Sequence, residues 1–139
     1  MKSFVYHIEI KVSDIKKSFP FYRDLLGYLD YKVSHEDNTI LGMTNGTCDV
    51  WISKTEDKHK ENKYHRKNIG LNHIAFGVYS KEDVDTFVKD FLIPRNIKPL
   101  YNTPKEFKEY SEGYYAVYFE DPNRIKLEVV YKPLTKLSS

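Results

Sequence analysis

Residues 7–26, HIEIKVSDIKKSFPFYRDLL, lie over residues 73–92, HIAFGVYSKEDVDTFVKDFL, at a constant offset of 66 with no gap. His7 falls on His73, Ile8 on Ile74, Val12 on Val78, Phe21 on Phe87, Asp24 on Asp90 and Leu26 on Leu92. Aliphatic matches carry little weight, because every core repeats them. Two histidines at one repeat position carry more. An offset near half the 139-residue length implies two copies of one module.

Each copy opens with a strand, residues 4–12 and 71–78, whose side chains alternate with the two-residue period of a half-buried sheet. A helix follows. In the first copy Ser13 or Asp14 caps residues 14–26, with Ile15, Phe19, Tyr22 and Leu26 on one face and Gly27 as the expected stop. Pro20 predicts a bend, since it removes one backbone bond. In the second copy Ser80 caps residues 81–92, Val84, Phe87, Val88 and Phe91 make the apolar stripe, and Pro94 ends it. Three strands then follow in each copy. The first has residues 29–35, 39–44 and 49–54; the second has 97–102, 114–120 and 125–131. The pattern is βαβββ, twice: an α+β fold. A charged connector, residues 55–68, joins module 1 (4–54) to module 2 (69–131), and residues 132–139 read as a loose tail. The whole, 1–139, is expected to be one domain.

Composition narrows the function. Lysine and arginine total 22 against 20 acidic residues, a net charge of +2, so no basic face for nucleic acid is expected. No apolar run approaches the roughly 18–20 residues of a membrane span. No secretory leader is legible at the start, and the single cysteine, Cys48, fits a reducing compartment. The chain is expected to be cytoplasmic. Twelve tyrosines and eight phenylalanines supply aromatic walls, some carrying hydroxyls.

His7 shares a strand face with Val5, Glu9 and Lys11, and His73 with Ala75 and Gly77. In the last strand Leu127 and Val129 alternate as core residues, which turns Glu128 to the opposite face. A carboxylate in a strand this apolar needs a partner. Two histidines and one carboxylate form a site that leaves open positions on a divalent metal. Glu9 and His35 read as rim or surface groups, His59 and His65 as solvated connector residues. Cys48 has no neighbouring base to mark it as a nucleophile.

The opening HI…V.S…FYRDLLGY, the second GLNHIAFGV and the ending YYAVYFEDPNRIKLEVVY resemble the vicinal oxygen chelate superfamily. It includes glyoxalase I, extradiol dioxygenases, fosfomycin-thiol transferases and bleomycin-binding proteins, and the resemblance spans residues 4–131. It implies two βαβββ modules related by a pseudo-twofold axis and curled into an open cup. It implies that His7, His73 and Glu128 are metal ligands, with the ion one of Fe, Mn, Zn, Ni or Co, chelating vicinal oxygens of a small-molecule substrate. It further implies lyase, isomerase or dioxygenase-like chemistry, and a homodimer, in some relatives with sites shared between subunits.

The departures are informative. The family writes Asp-Pro-Asp-Gly in the last turn, where this chain has Asp121-Pro122-Asn123-Arg124. Glyoxalase I carries a further carboxylate ligand on the last strand of its first module, where this chain aligns Trp51. A two-residue slip would bring Asp49 there instead. The chain is therefore expected not to be a standard glyoxalase I. Fosfomycin-thiol transferases have a tyrosine ten residues before the glutamate, here Tyr118, which becomes the candidate catalytic residue. They also have a serine where this chain has Ala116, and their potassium loop is not legible in residues 107–113. The alternative function is a binding module of the bleomycin-resistance type, which sequesters a small molecule and generally lacks the metal triad.

Overall fold

Eight strands and two helices make up the computed structural model, which describes residues 1–133. The first half runs β1 (His7–Val12), α1 (Ile15–Tyr28), β2 (Lys32–Glu36), β3 (Ile40–Thr44) and β4 (Asp49–Lys54). The second runs β5 (His73–Gly77), α2 (Lys81–Phe87), β6 (Leu100–Glu106), β7 (Tyr115–Glu120) and β8 (Lys126–Tyr131). Each half builds one four-stranded sheet, in the orders β1-β4-β3-β2 and β5-β8-β7-β6. In both, the first strand pairs parallel with the last, and the other pairings are antiparallel. The chain divides into two units, Met1–Tyr64 and His65–Ser139, with the boundary inside the charged connector. This is the α+β fold of two βαβββ modules that the repeat predicts.

In each unit the helix covers one sheet face. Phe19, Tyr22, Leu25 and Leu26 of α1 are buried, as are Leu41, Met43, Val50 and Ile52 of the first sheet. In the second unit Val84, Phe87 and Phe91 are buried with Val117, Phe119, Leu127 and Val129. Phe87 stacks on Phe91 at 5.1 Å and meets Phe119 at 5.4 Å between ring centres. Burial of this kind stabilises a helix more than its intrinsic propensity does. It explains why α1 continues through Pro20 although residue 20 has no N–H to offer the turn before it.

Several boundaries differ from the sequence reading. β1 and β5 begin at His7 and His73, because their parallel partners begin at Asp49 and Lys126 and nothing earlier is left to pair. Gly27 does not stop α1. The reversal falls to Asp30 (φ 67°), after which Tyr31 N–H donates to the Leu26 carbonyl at 2.8 Å. β2 starts correspondingly late. The second helix keeps its Ser80 cap, whose hydroxyl accepts from Asp83 N–H at 3.0 Å. Its last turn, Val88–Leu92, widens to π geometry, with Ile93 N–H on the Val88 carbonyl at 3.0 Å.

β6 is displaced towards the C-terminus and bulged between Leu100 and Lys105, with Tyr101 and Asn102 at positive φ. Thr103 bridges the bulge: its hydroxyl donates to the Leu100 carbonyl at 2.6 Å and accepts from Tyr118 N–H at 3.0 Å. The connector holds a short 3-10 turn, Asp57–His59. From residue 134 on, the expected tail lies outside the described residues. Among the described residues no helix is long and apolar enough to cross a membrane.

Candidate metal centre

Strand register decides which side chains meet on the face of the second sheet away from α2. Leu127 and Val129 point to the helix side, so Glu128 points the other way. Glu128 pairs with Tyr118 on β7 and with Ala75 on β5, and His73 pairs with Lys126. Glu128 is fully buried. Its Oε2 lies 2.9 Å from His73 Nε2, and its Oε1 accepts a hydrogen bond from the Tyr114 hydroxyl. The Tyr118 ring stands edge-on to His73 with centres 5.8 Å apart. Burial, and then the Glu128 charge and hydrogen bonding to it, push both the Tyr114 and the Tyr118 hydroxyls well above the usual tyrosine range. Both therefore remain protonated, and Tyr114 donates its proton to Glu128.

The other side of His73 fixes which nitrogen carries the proton. Asn72 Nδ2 donates to the Arg66 carbonyl at 3.0 Å, which orients the amide and leaves Oδ1 facing the ring. Asn72 Oδ1 is 2.7 Å from His73 Nδ1, so Nδ1 is the protonated nitrogen. Nε2, 2.9 Å from a buried carboxylate oxygen, either donates a second proton to it or offers its lone pair to a cation. Two electron pairs at this separation need a cation between them, a proton or a metal ion. A histidine whose outer nitrogen is tied to an amide oxygen is the arrangement found around metal-ligating imidazoles. The spacing fits too: with bonds of about 2.1 Å, two adjacent ligands on a six-coordinate ion stand about 3.0 Å apart.

An aromatic wall borders the pair. Phe107, Tyr110 and Tyr114 pack against one another, and Phe107 meets Tyr118 edge-on at 5.6 Å. The Lys126 ammonium lies 4.8 Å from the Tyr118 ring centre and 5.1 Å from that of Tyr101.

The remaining expected ligand, His7, heads β1 in the first unit, is exposed, and meets the Tyr6 ring edge-on at 5.7 Å. Among the described residues no group of three or more His, Cys, Asp or Glu side chains stands in position to hold a metal ion, so the structure brings together His73 and Glu128 of the expected ligands. Trp51 pairs with Glu9, as Glu128 pairs with Ala75, and Glu9 and Ala75 are equivalent under the 66-residue offset. Trp51, not Asp49, thus occupies the first-module counterpart of Glu128. Its indole lies directly over Gly42, where a Cβ would stand 2.4 Å from a ring carbon. His35 pairs with Asp37 at 2.9 Å on the surface, and His59 and His65 are exposed. Tyr115, the neighbour of Tyr114, faces the helix side and donates to Asp85 at 2.7 Å. Asn72 and Tyr114 are the functional candidates that the sequence reading omits. Their only sequence signal is position: one directly precedes the second histidine, the other directly precedes β7.

With this geometry in place, residues 5–129 match the Glyoxalase/Bleomycin resistance protein/Dioxygenase superfamily. The chain belongs to that superfamily. A superfamily relative, the uncharacterized protein YqjT of Bacillus subtilis, is 34% identical over 91% of this chain and 97% of its own. The metallothiol transferase FosB of Staphylococcus epidermidis is 28% identical over 90% of this chain and 79% of its own. A solved structure from Bacillus halodurans, provisionally named a glyoxalase, superposes with a TM-score of 0.85 at 34% identity, covering 94% of this chain and 97% of that one. The fosfomycin resistance protein FosX of Listeria monocytogenes shares the fold at a TM-score of 0.66 and 16% identity, over 99% and 97% of the two chains.

Proposed function

We propose that the chain is a metal-dependent enzyme acting on a small molecule, with His7, His73 and Glu128 as protein ligands to one divalent ion. The observation that carries the reading is His73 Nε2 standing 2.9 Å from the buried Glu128 carboxylate while Asn72 Oδ1 meets the ring's other nitrogen at 2.7 Å. When bound, the ion supplies Lewis-acid chemistry toward adjacent oxygens of the substrate. Among Fe, Mn, Zn, Ni and Co, the mixed nitrogen and oxygen donors select none.

The chain's own residues do the rest. Glu128 and His73 hold their donor atoms at fixed separation on adjacent strands, so no loop has to order first. Tyr118, kept protonated by its surroundings, donates a hydrogen bond to negative charge developing beside the centre. The wall of Phe107, Tyr110 and Tyr114 limits water on one side. Trp51 fills the place of a further acidic ligand, which favours a three-ligand centre over the isomerase type. Of the chemistries in the superfamily, thiol transfer of the kind named for FosB has the best support, from 28% identity across most of the chain. The protein acts in the cytoplasm as a homodimer, and His7 of the same or of a second copy completes the ligand set.

The competing reading, a binding module without catalysis, predicts no stoichiometric metal. Untagged protein purified without chelator is assayed for bound metal, then for thiol addition to fosfomycin with Mn(II), Co(II), Ni(II) or Zn(II) supplied. One ion per chain in the wild type, lost in His73→Ala and Glu128→Gln, supports the centre. Tight binding of a small molecule with no metal dependence refutes it.

A further inference from the structure

Glu128 spends its two oxygens differently. Oε2 faces His73 Nε2 at 2.9 Å, while Oε1 accepts from the Tyr114 hydroxyl. Tyr114 is itself held. Its ring meets Tyr110 edge-on at 5.4 Å and Phe107 at 6.3 Å, and its N–H donates to the Ser111 carbonyl at 3.2 Å. The Phe107 N–H in turn donates to the Tyr114 carbonyl at 2.8 Å. A donor fixed on both its backbone and its ring cannot easily follow the carboxylate if that group swings. Tyr118 stands opposite Glu128 on the neighbouring strand and edge-on to His73.

We propose that Tyr114 is a positioning residue that makes Glu128 a one-oxygen ligand. By occupying Oε1 it presents Oε2 alone to the ion, and so keeps a coordination position open that a two-oxygen carboxylate would close. Open positions are what separate a catalytic metal site from a closed structural one. Outer partners of this kind commonly change metal affinity 10- to 100-fold when removed. The inference rests on the metal-centre reading above, and its consequence is specific to this chain: the phenol that sets the coordination number comes from the residue just before β7.

The test uses the full chain. Co(II) is titrated into wild type and Tyr114→Phe by calorimetry, and the visible absorption of bound Co(II) is recorded for each. The expected result is a 10- to 100-fold loss of Co(II) affinity in the variant, with Co(II) bands altered by a second oxygen joining the shell. A residue that merely satisfied a buried carboxylate would lower stability and leave the bands of bound Co(II) unmoved. Unchanged affinity and unchanged bands overturn the proposal while leaving the metal centre intact. If Tyr114→Phe does not fold, the wild type decides alone. The Co(II)-minus-apo difference infrared spectrum of protein carrying 13C-labelled glutamate should show the wide splitting of a one-oxygen carboxylate. The narrow splitting of a two-oxygen carboxylate overturns the assignment. Wild type that binds no Co(II) removes the metal-centre reading itself, and the role of Tyr114 with it.

Discussion

Replacing Asn72 by leucine should weaken metal binding by about 10- to 150-fold while leaving the fold intact. Asn72 is exposed, so the substitution disturbs no core. In the wild type its Oδ1, 2.7 Å from His73 Nδ1, favours the neutral tautomer with the proton on that side, the one that frees Nε2 for a metal ion. Leucine removes the acceptor. The neutral ring then moves its proton to Nε2 and donates it to Glu128 Oε2, already 2.9 Å away. A hydrogen bond to a charged group is worth about 1.5–3 kcal/mol. A metal ion must now break that bond before it binds, and about 1.4 kcal/mol corresponds to a tenfold change in affinity. Calorimetric titration with Mn(II) or Co(II) measures the loss, and multiple-bond 1H–15N spectra of the imidazole report the tautomer directly. Asn72→Asp keeps an acceptor in place and should recover most of the affinity. The reasoning is refuted if Asn72→Leu binds within threefold of wild type, or if neutral His73 in the metal-free wild type carries its proton on Nε2.

Three further outcomes follow from other parts of the structure. Arg124 stands in the left-handed region at φ 66°, in the place where the family has glycine, so Arg124→Gly should stabilise the chain by about 0.5–1 kcal/mol. Urea unfolding measures it; the 3.4 Å pair with Glu120 offsets little, because the Arg124 end is exposed and Glu120 keeps Arg66 at 2.8 Å. Tyr115, hydrogen-bonded to Asp85, has its hydroxyl pushed up to about 12, chiefly by burial. Above about pH 10 the unfolded phenol loses its proton first. The folded state then binds more protons, so stability falls as pH rises from about 10 to about 12. Tyr115→Phe should flatten that part of the stability profile, and equal slopes for the two proteins would count against the assignment. With Trp51 in the counterpart position of Glu128, hemithioacetal isomerisation by the wild type should not exceed the metal-only background with Zn(II), Ni(II) or Co(II). Clear turnover in that assay would show that the missing carboxylate is not needed.

The fold was legible because its determinants are local and repeated. The constant offset, the Asp14 and Ser80 caps and the apolar stripes each point to the same two modules. The face that Glu128 takes was legible for a related reason, since in a strand phase against buried neighbours fixes the face; Tyr118 was singled out by the family resemblance and its ten-residue spacing to Glu128. Gly27 misled because glycine is tolerated inside a helix whose other face is buried, and the reversal needs a positive φ that Asp30 supplies. The shift of β6 was not legible, since it depends on a threonine hydroxyl standing in for a ladder bond. Tyr114 and Asn72 stand out through hydrogen bonds to specific atoms, Glu128 Oε1 and His73 Nδ1. Periodicity reports which face a residue takes, not which lone pair it meets.

The same two register positions are used differently in the two modules. In the second, Glu128 on β8 stands opposite Tyr118 on β7. In the first, Trp51 on β4 stands opposite Gly42 on β3. Each pair is matched in size as well as in chemistry. The indole needs the absent side chain of Gly42, and no other residue fits beneath it without displacing the ring. The buried Glu128 carboxylate needs a donor and takes it from the Tyr114 hydroxyl, on the residue just before β7. A single substitution at either position therefore does not convert one module into the other. An acid placed at residue 51 would face a bare glycine, with no phenol to hold it and no ring to exclude water. The first-module position is thus built for an indole, and the proposed centre would take its one carboxylate from the second module.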